Sequence, residues 1–284
     1  MNENKTNINW YPGHMEKTKR QIKEISPLID FILELVDARI PVSSRVQGID
    51  DLIKGKPRLL VMTKSDLCDK RETDKWISKY QNTGDTVLLV DLMDNNDYKK
   101  IINKLDEFAG LINEKRLSNG LKPKQIRGLV IGIPNVGKST LINRLAGKTV
   151  AGVGNIPGFT KSLSWIKAGN SLLLDSPGIL WPKFESEEVA LNLASMSAIK
   201  QEILPVDDVA VHILKKLDKY YRGILKSRYN LDELTDDYEY NYSVIAHRIG
   251  AIKNGEVDYQ RVSLFIINDI KNENIKGITF DRCE

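Results

Sequence analysis

The chain has 284 residues, 41% of them hydrophobic and 28% charged, a balance that builds a sizeable soluble core and leaves room for a full domain plus an appendage. Its formal charge of +4, from 42 basic and 38 acidic side chains, permits contact with a polyanion without demanding one. Two cysteines, Cys68 and Cys283, exclude a disulfide framework and point to a reducing compartment. No apolar run approaches the ~20 residues of a membrane span, and the polar start MNENKTNINW predicts no signal peptide, so a cytoplasmic protein is expected.

In chain order, Met15, Thr18, Ile22, Ile25 and Ile29 recur at helical spacing and predict an amphipathic helix over 14–29. Residues 30–37 read as a strand, 37–45 (DARIPVSSR) as a loop, 47–54 as a short helix and 58–62 as a second strand. A helix near 70–82, a strand over 86–90 and a helix near 96–117 follow. The basic segment 114–127 (EKRLSNGLKPKQIR) reads as a linker. Then come a strand over 127–133, a helix over 138–146, a Gly-rich stretch over 147–160, and strands near 162–167 and 171–175. Alternating strands and helices predict an α/β fold, with a mostly parallel sheet covered by helices on both faces. Beyond about 185 the strand signal fades, while Val209, Ile213, Leu217 and Tyr220 keep helical spacing. Further helices are expected near 186–203, 241–251 and 259–272. The expected organisation is one domain over 1–184 and a mainly helical C-terminal domain over 185–284.

Gly132-Ile-Pro-Asn-Val-Gly137-Lys138-Ser139 matches G-x-x-x-x-G-K-[ST]. Glycine at 132 and 137 lets backbone approach a phosphate closely. Successive amides over Asn135, Val136, Gly137, Lys138, Ser139 and Thr140 then face the anion, backed by the helix starting near 138. Lys138 would reach the β- and γ-phosphates, and the Ser139 hydroxyl would ligate Mg²⁺. An apolar strand before the loop and an apolar-faced helix after it distinguish this from a chance glycine turn.

Two further stretches sort the nucleotide. Asp175-Ser-Pro-Gly178 ends an apolar strand, so Asp175 is placed to hold Mg²⁺ and the Gly178 N–H to reach a γ-phosphate oxygen. Alone, D-x-P-G is a common turn. Thr63-Lys64-Ser65-Asp66 ends another strand. The Asp66 carboxylate would accept from N1–H and N2–H₂ of guanine, whereas adenine would leave it unpaired. The Lys64 stem would cover the base and brace the phosphate loop. The alternative for this tetrapeptide is a solvated polar loop. The base reader precedes the phosphate loop, the reverse of the order in familiar small GTPases, and a circularly permuted P-loop GTPase fold follows.

WYPGHMEKTKR (10–20), DARIPVSSR (37–45), TKSD (63–66), GIPNVGKSTLINRL (132–145), PGFT (157–160) and DSPGILWPKF (175–184) together resemble the circularly permuted GTPases of the YlqF type. The resemblance spans most of residues 8–220 and thins toward the end. It implies a cytoplasmic GTPase that assembles the large ribosomal subunit and binds ribosomal RNA partly through its helical domain. From 199 onward the chain holds 13 basic and 15 acidic residues, so composition alone gives no reason to assign RNA binding there. The expected cycle has GTP order residues 178–190 and Thr160, a further Mg²⁺ contact, and reorient the appended domain.

The stretch Ile179-Leu180-Trp181 offers no side chain to hold a water, so slow intrinsic hydrolysis is expected, with stimulation by the large subunit. The resemblance assigns water positioning to His14, an imidazole that titrates near neutrality; the alternative is a histidine bonding backbone near a helix start. It likewise assigns Asn135 to a K⁺ ion, although a loop asparagine commonly just closes a turn. Thr63 stands where the family usually has Asn. Asp91-Leu92-Met93 stands where it has a Ser-bearing loop touching guanine O6, so a backbone N–H would have to serve, with the Asp91 carboxylate opposing. Lys17, Lys19, Arg20 and Lys23, with Arg39 and Arg45, are candidate RNA contacts. The helix set reads equally as a solvated face, and for the loop arginines the resemblance implies a ribosomal or intramolecular switch role. A monomer off the ribosome is expected. Two rivals remain: a non-catalytic, nucleotide-gated RNA-binding scaffold, and a P-loop small-molecule kinase, which would leave TKSD unexplained.

Overall fold

The structure, a computed structural model, describes residues 20, 22–46, 48–49, 55–146, 165–175, 186–199 and 205–283. A helical turn over 22–25 runs into a 3-10 turn at Ser26–Leu28 containing Pro27, and Ile29 is already extended (ψ 134°). The helix expected to reach 29 therefore ends earlier, where proline takes over. Strands β1 (Phe31–Asp37), β2 (Arg58–Thr63), β3 (Thr86–Leu89), β4 (Ile126–Gly132), β5 (Trp165–Ala168) and β6 (Ser171–Asp175) form one sheet in the order β3-β2-β1-β4-β6-β5. All neighbours are parallel except the edge pair β5–β6. Helices α1 (Lys70–Asn82), α2 (Asn95–Ser118) and α3 (Lys138–Ala146) supply crossovers.

The supposed linker divides: α2 continues through Ser118, and the crossing to β4 is clamped where the Asn113 side chain donates to Lys124 O and accepts from Lys124 N, both at 3.0 Å. On β1 the side-chain period of two sends Phe31, Leu33 and Leu35 to one apolar cluster and Ile32 to another. Glu34 shares the second face at 0% exposure, tolerated because Arg45 and the Val46 amide bond its Oε1 and the Arg58 guanidinium lies 3.4 Å from its Oε2.

The C-terminal part comprises α4 (Glu187–Ser195), α5 (Val206–Tyr220), α6 (Arg222–Tyr229), α7 (Tyr238–Ile249), a hairpin of β7 (Ile252–Lys253) and β8 (Glu256–Val257), and α8 (Tyr259–Lys271). Helix α4 stops short of the expected 203 because Ser197 turns left-handed (φ 57°). One apolar cluster runs from the sheet into these helices through Leu193, Ile213, Leu217 and Ile266. No described helix is long and apolar enough to cross a membrane.

His212 on α5 meets Asn192 Oδ1 through Nε2 at 2.8 Å. Burial, then the Lys216 ammonium, pushes its imidazole down from 6.5 to about 4. The fold prefers the neutral ring, so this contribution is whole above the ordinary value of 6.5 and is lost as pH falls toward 4. In thermal melts between pH 7 and 5, His212→Gln should flatten the acid-side decline; a decline as steep as the parent's would exclude His212 as its source.

Candidate functional site

Strand register builds the rim. Asp37 lies beside Thr63, Leu35 beside Gly132, and Val130 beside Asp175, so the carboxyl ends of β1, β2, β4 and β6 open on one edge. The chain progresses from β1 outward to β3, then returns to β4 on the other side of β1. Such a reversal leaves a crevice at the strand ends.

The loop Ile133–Gly137 leaves β4 into α3. A Cβ at Gly132 would stand 2.8 Å from Val136 Cγ1 and 3.0 Å from Leu35 O, and Gly137 has φ 101° with Leu92 Cδ1 2.7 Å from its Cβ position. Neither place admits another residue without movement. Asn135 is also left-handed (φ 60°), and its Nδ2 donates to Ser197 O at 2.5 Å, joining the loop to the end of α4. Lys138 opens α3, largely buried, with Nζ 2.7 Å from Asp175 Oδ1 at the end of β6. Ser139 is exposed and Thr140 half-buried on the first turn of α3.

Thr63 Oγ1 lies 2.7 Å from Val136 O and 3.1 Å from Val36 O, so the base-reading segment braces the phosphate loop through Thr63. Lys64 does not do so: it is left-handed (φ 61°), and its ammonium donates to Asp37 Oδ2 at 2.7 Å. The Ser65 N–H donates to Val90 O at 3.1 Å. Asp66 is exposed; partial desolvation, then Asp91 and Glu273, raise its carboxyl above the usual range, with Lys276 opposing. In the next loop the Asp91 amide donates to Asp97 Oδ2 and the Met93 amide to Asp91 Oδ1, both at 2.8 Å. The Asp91 carboxylate is thus engaged by its own turn. Residues 63–66, 91–92, 135–140 and 175 share one rim, while His14, Thr160 and Gly178 lie outside the described residues.

The arginines suggested as RNA contacts are placed differently. Arg39 is 3% exposed and bonds both Asp37 oxygens through Nε and Nη2, at 3.0 and 2.8 Å. Arg45 bonds Glu34 and lies over the Tyr80 ring. Burial removes Arg39 from any phosphate, whereas Arg45 stays half-buried in its pairing with Glu34. Arg20 pairs with Glu24 at 3.0 Å on an exposed helix face, and Lys23 is exposed beside them; Lys17 and Lys19 lie outside the described residues. Asp37, whose sequence signal was only its place in DARIPVSSR, is the site's missed residue.

Ser139 and Asp175 offer hard oxygen donors, the ligand chemistry that Mg²⁺ takes when it also keeps waters and phosphate oxygens. Among the described residues no group of three or more His, Cys, Asp or Glu could hold a metal by itself.

Comparison with known proteins gives the family and the fold. The sequence profile described as 50S ribosome-binding GTPase matches residues 127–238. The chain is 45% identical over 277 residues to a ribosome biogenesis GTPase A of Priestia megaterium, covering 96% of each. It is 29% identical over 280 residues to one of Thermotoga maritima, covering 98% of this chain and 95% of the relative. The fold matches a GNP-bound YlqF structure from T. maritima with a TM-score of 0.68 at 24% identity, covering 94% of this chain and 98% of that one.

Proposed function

The chain belongs to the ribosome biogenesis GTPase A family, and from that premise we propose that its GTP cycle serves assembly of the large ribosomal subunit. It is a circularly permuted P-loop GTPase that binds and hydrolyses GTP in the service of ribosome assembly. The observation that carries the site assignment is the pair of links tying Thr63 to Val136 and Lys138 to Asp175. They draw base reader, phosphate loop and strand-end carboxylate to one rim.

On nucleotide binding the Lys138 ammonium passes from Asp175 to the β- and γ-phosphates, which frees that carboxylate. Ser139 and Asp175, with Thr160, would hold Mg²⁺, which would neutralise charge on the phosphates. Asn135, its Nδ2 occupied by Ser197, has its amide oxygen left for K⁺. Asp66 accepts from the guanine edge and Lys64 covers the ring, while the Leu92 amide is the donor of the 91–93 loop for O6. The Gly178 amide reaches the γ-phosphate. His14 orients the attacking water, since Ile179-Leu180-Trp181 supplies no polar side chain.

The organisation is a GTPase domain over 1–184 and a helical domain over 185–284 that meets ribosomal RNA. The working protein is cytoplasmic and monomeric off the ribosome, and large subunits stimulate its slow turnover. Phosphate release with and without large subunits tests this: stimulation is expected in the parent, and His14→Ala should lose about 100-fold or more of the stimulated rate, the low end for a proton-handling side chain. A rate indifferent to large subunits would remove them as the partner.

A further inference from the structure

The last described residues, 275–283, form no helix or strand, yet Ile275, Ile278, Thr279 and Phe280 are no more than 2% exposed. Buried backbone outside regular structure must find its hydrogen bonds elsewhere, and here it finds them in the two loops that flank the base reader. The Gly277 and Ile278 amides both donate to Leu67 O, at 2.8 and 3.2 Å. Thr279 Oγ1 accepts from the Asp69 amide at 3.2 Å and lies 3.3 Å from Ala38 O. The Phe280 amide donates to Arg39 O at 2.7 Å. Asp281 Oδ2 accepts the amides of Val42 and Ser43, both at 2.7 Å.

The opposite side of this strap is held by the C-terminal helices. The Tyr221 hydroxyl accepts from the Thr279 amide at 2.8 Å and lies 3.1 Å from Asp69 Oδ2. Lys216 Nζ donates to Phe280 O at 3.1 Å, and Asn192 Nδ2 to Asp281 Oδ1 at 2.8 Å. The segment therefore stands between the helices and the carbonyls that follow β1 and β2. Leu67 is the neighbour of Asp66, and Asp69 opens α1 as its cap, so the strap pins the base-reading loop one residue and three residues beyond the carboxylate.

We propose that residues 275–281 position the guanine-reading loop, with Thr279 as the positioning residue that aligns Asp66 on the base. The proposal rests on the reading of Asp66 as the guanine acceptor, and it gives the helical half a direct hold on base selectivity. An aligned carboxylate uses both guanine donors, N1–H and N2–H₂; a loop released from the strap gains little from the second.

Competition between GDP and IDP for the full chain reads that alignment, because inosine lacks the N2 amine. The parent should prefer GDP by at least about tenfold, the worth of one bond to a charged acceptor. In Thr279→Val the preference should shrink to within about threefold, and Thr279→Ser, which keeps the hydroxyl, should restore it. A lower melting temperature in Thr279→Val with the parent's GDP:IDP ratio would make the strap merely structural and overturn the proposal. Should Thr279→Val not fold, Tyr221→Phe removes the partner of the Thr279 amide from a half-buried position, and an undiminished ratio there would overturn it equally. A parent without GDP preference would instead sink the reading of Asp66, an outcome separate from either.

Discussion

Replacing Asp37 by alanine should cost the fold about 3–5 kcal/mol, the usual result of stranding a buried charge. The carboxylate is 2% exposed and accepts from Arg39 N, Nε and Nη2 and from Lys64 Nζ, at 2.7–3.0 Å. Arg39 is itself buried, so the deletion leaves a desolvated guanidinium without its anion. Burial alone would raise the Asp37 carboxyl, but the Arg39 and Lys64 cations more than offset it and hold the group far below the usual carboxylate range. A depressed folded value means that the stabilisation is complete above the ordinary value of 3.8 and drains away as pH falls below it. Urea unfolding at pH 7 measures the loss, and repeating it toward pH 3 should show the gap between parent and variant beginning to narrow. A loss below about 1 kcal/mol, in the range of an exposed pair, would show that the Arg39–Asp37–Lys64 cluster is not the fixed group described.

Much of this architecture is legible in the sequence because its signals are local. The phosphate loop announces itself through glycines that tolerate close backbone approach and a lysine at the first turn of α3. TKSD and DSPG each follow an apolar strand, and a parallel sheet brings strand ends to one edge whatever the order of the segments. What is not legible depends on register and on long-range closure. That Lys64 pairs with Asp37 follows from the alignment of Asp37 with Thr63 across β1 and β2, and no spacing rule gives it. Arg39 looks like an exposed loop cation until residues 277–281 close over the loop from more than two hundred positions away. The β7–β8 hairpin did carry a signal, the Asn254-Gly255 pair, whose φ values of 52° and 84° suit a tight hairpin turn. Helix α6 had a weaker one: Asn230, left-handed at φ 62°, closes it.

The two aspartates at the ends of β1 and β2 sit in opposite environments, and this separates binding from stability. Asp37 is held ionised by cations; the carboxyl of Asp66 is raised, by partial desolvation and then by Asp91 and Glu273. The fold therefore gains nothing from the Asp66 charge, and Asp66→Asn should leave unfolding within about 0.5 kcal/mol of the parent, as at ordinary surface positions. Its effect on ligand choice should be large. An amide presents a donor where guanine also presents donors, so two bonds to a charged acceptor are disrupted together, a loss of about 100-fold or more in GDP affinity. Xanthine carries a carbonyl at C2 in place of the amine, so the asparagine NH₂ can donate to it while the amide oxygen accepts from N1–H. Displacement of a fluorescent nucleotide by GDP and by XDP should show the preference reversing. If Asp66→Asn kept the parent's order, guanine would be read by groups other than Asp66, and the TKSD segment would be a solvated loop that happens to brace the phosphate loop through Thr63.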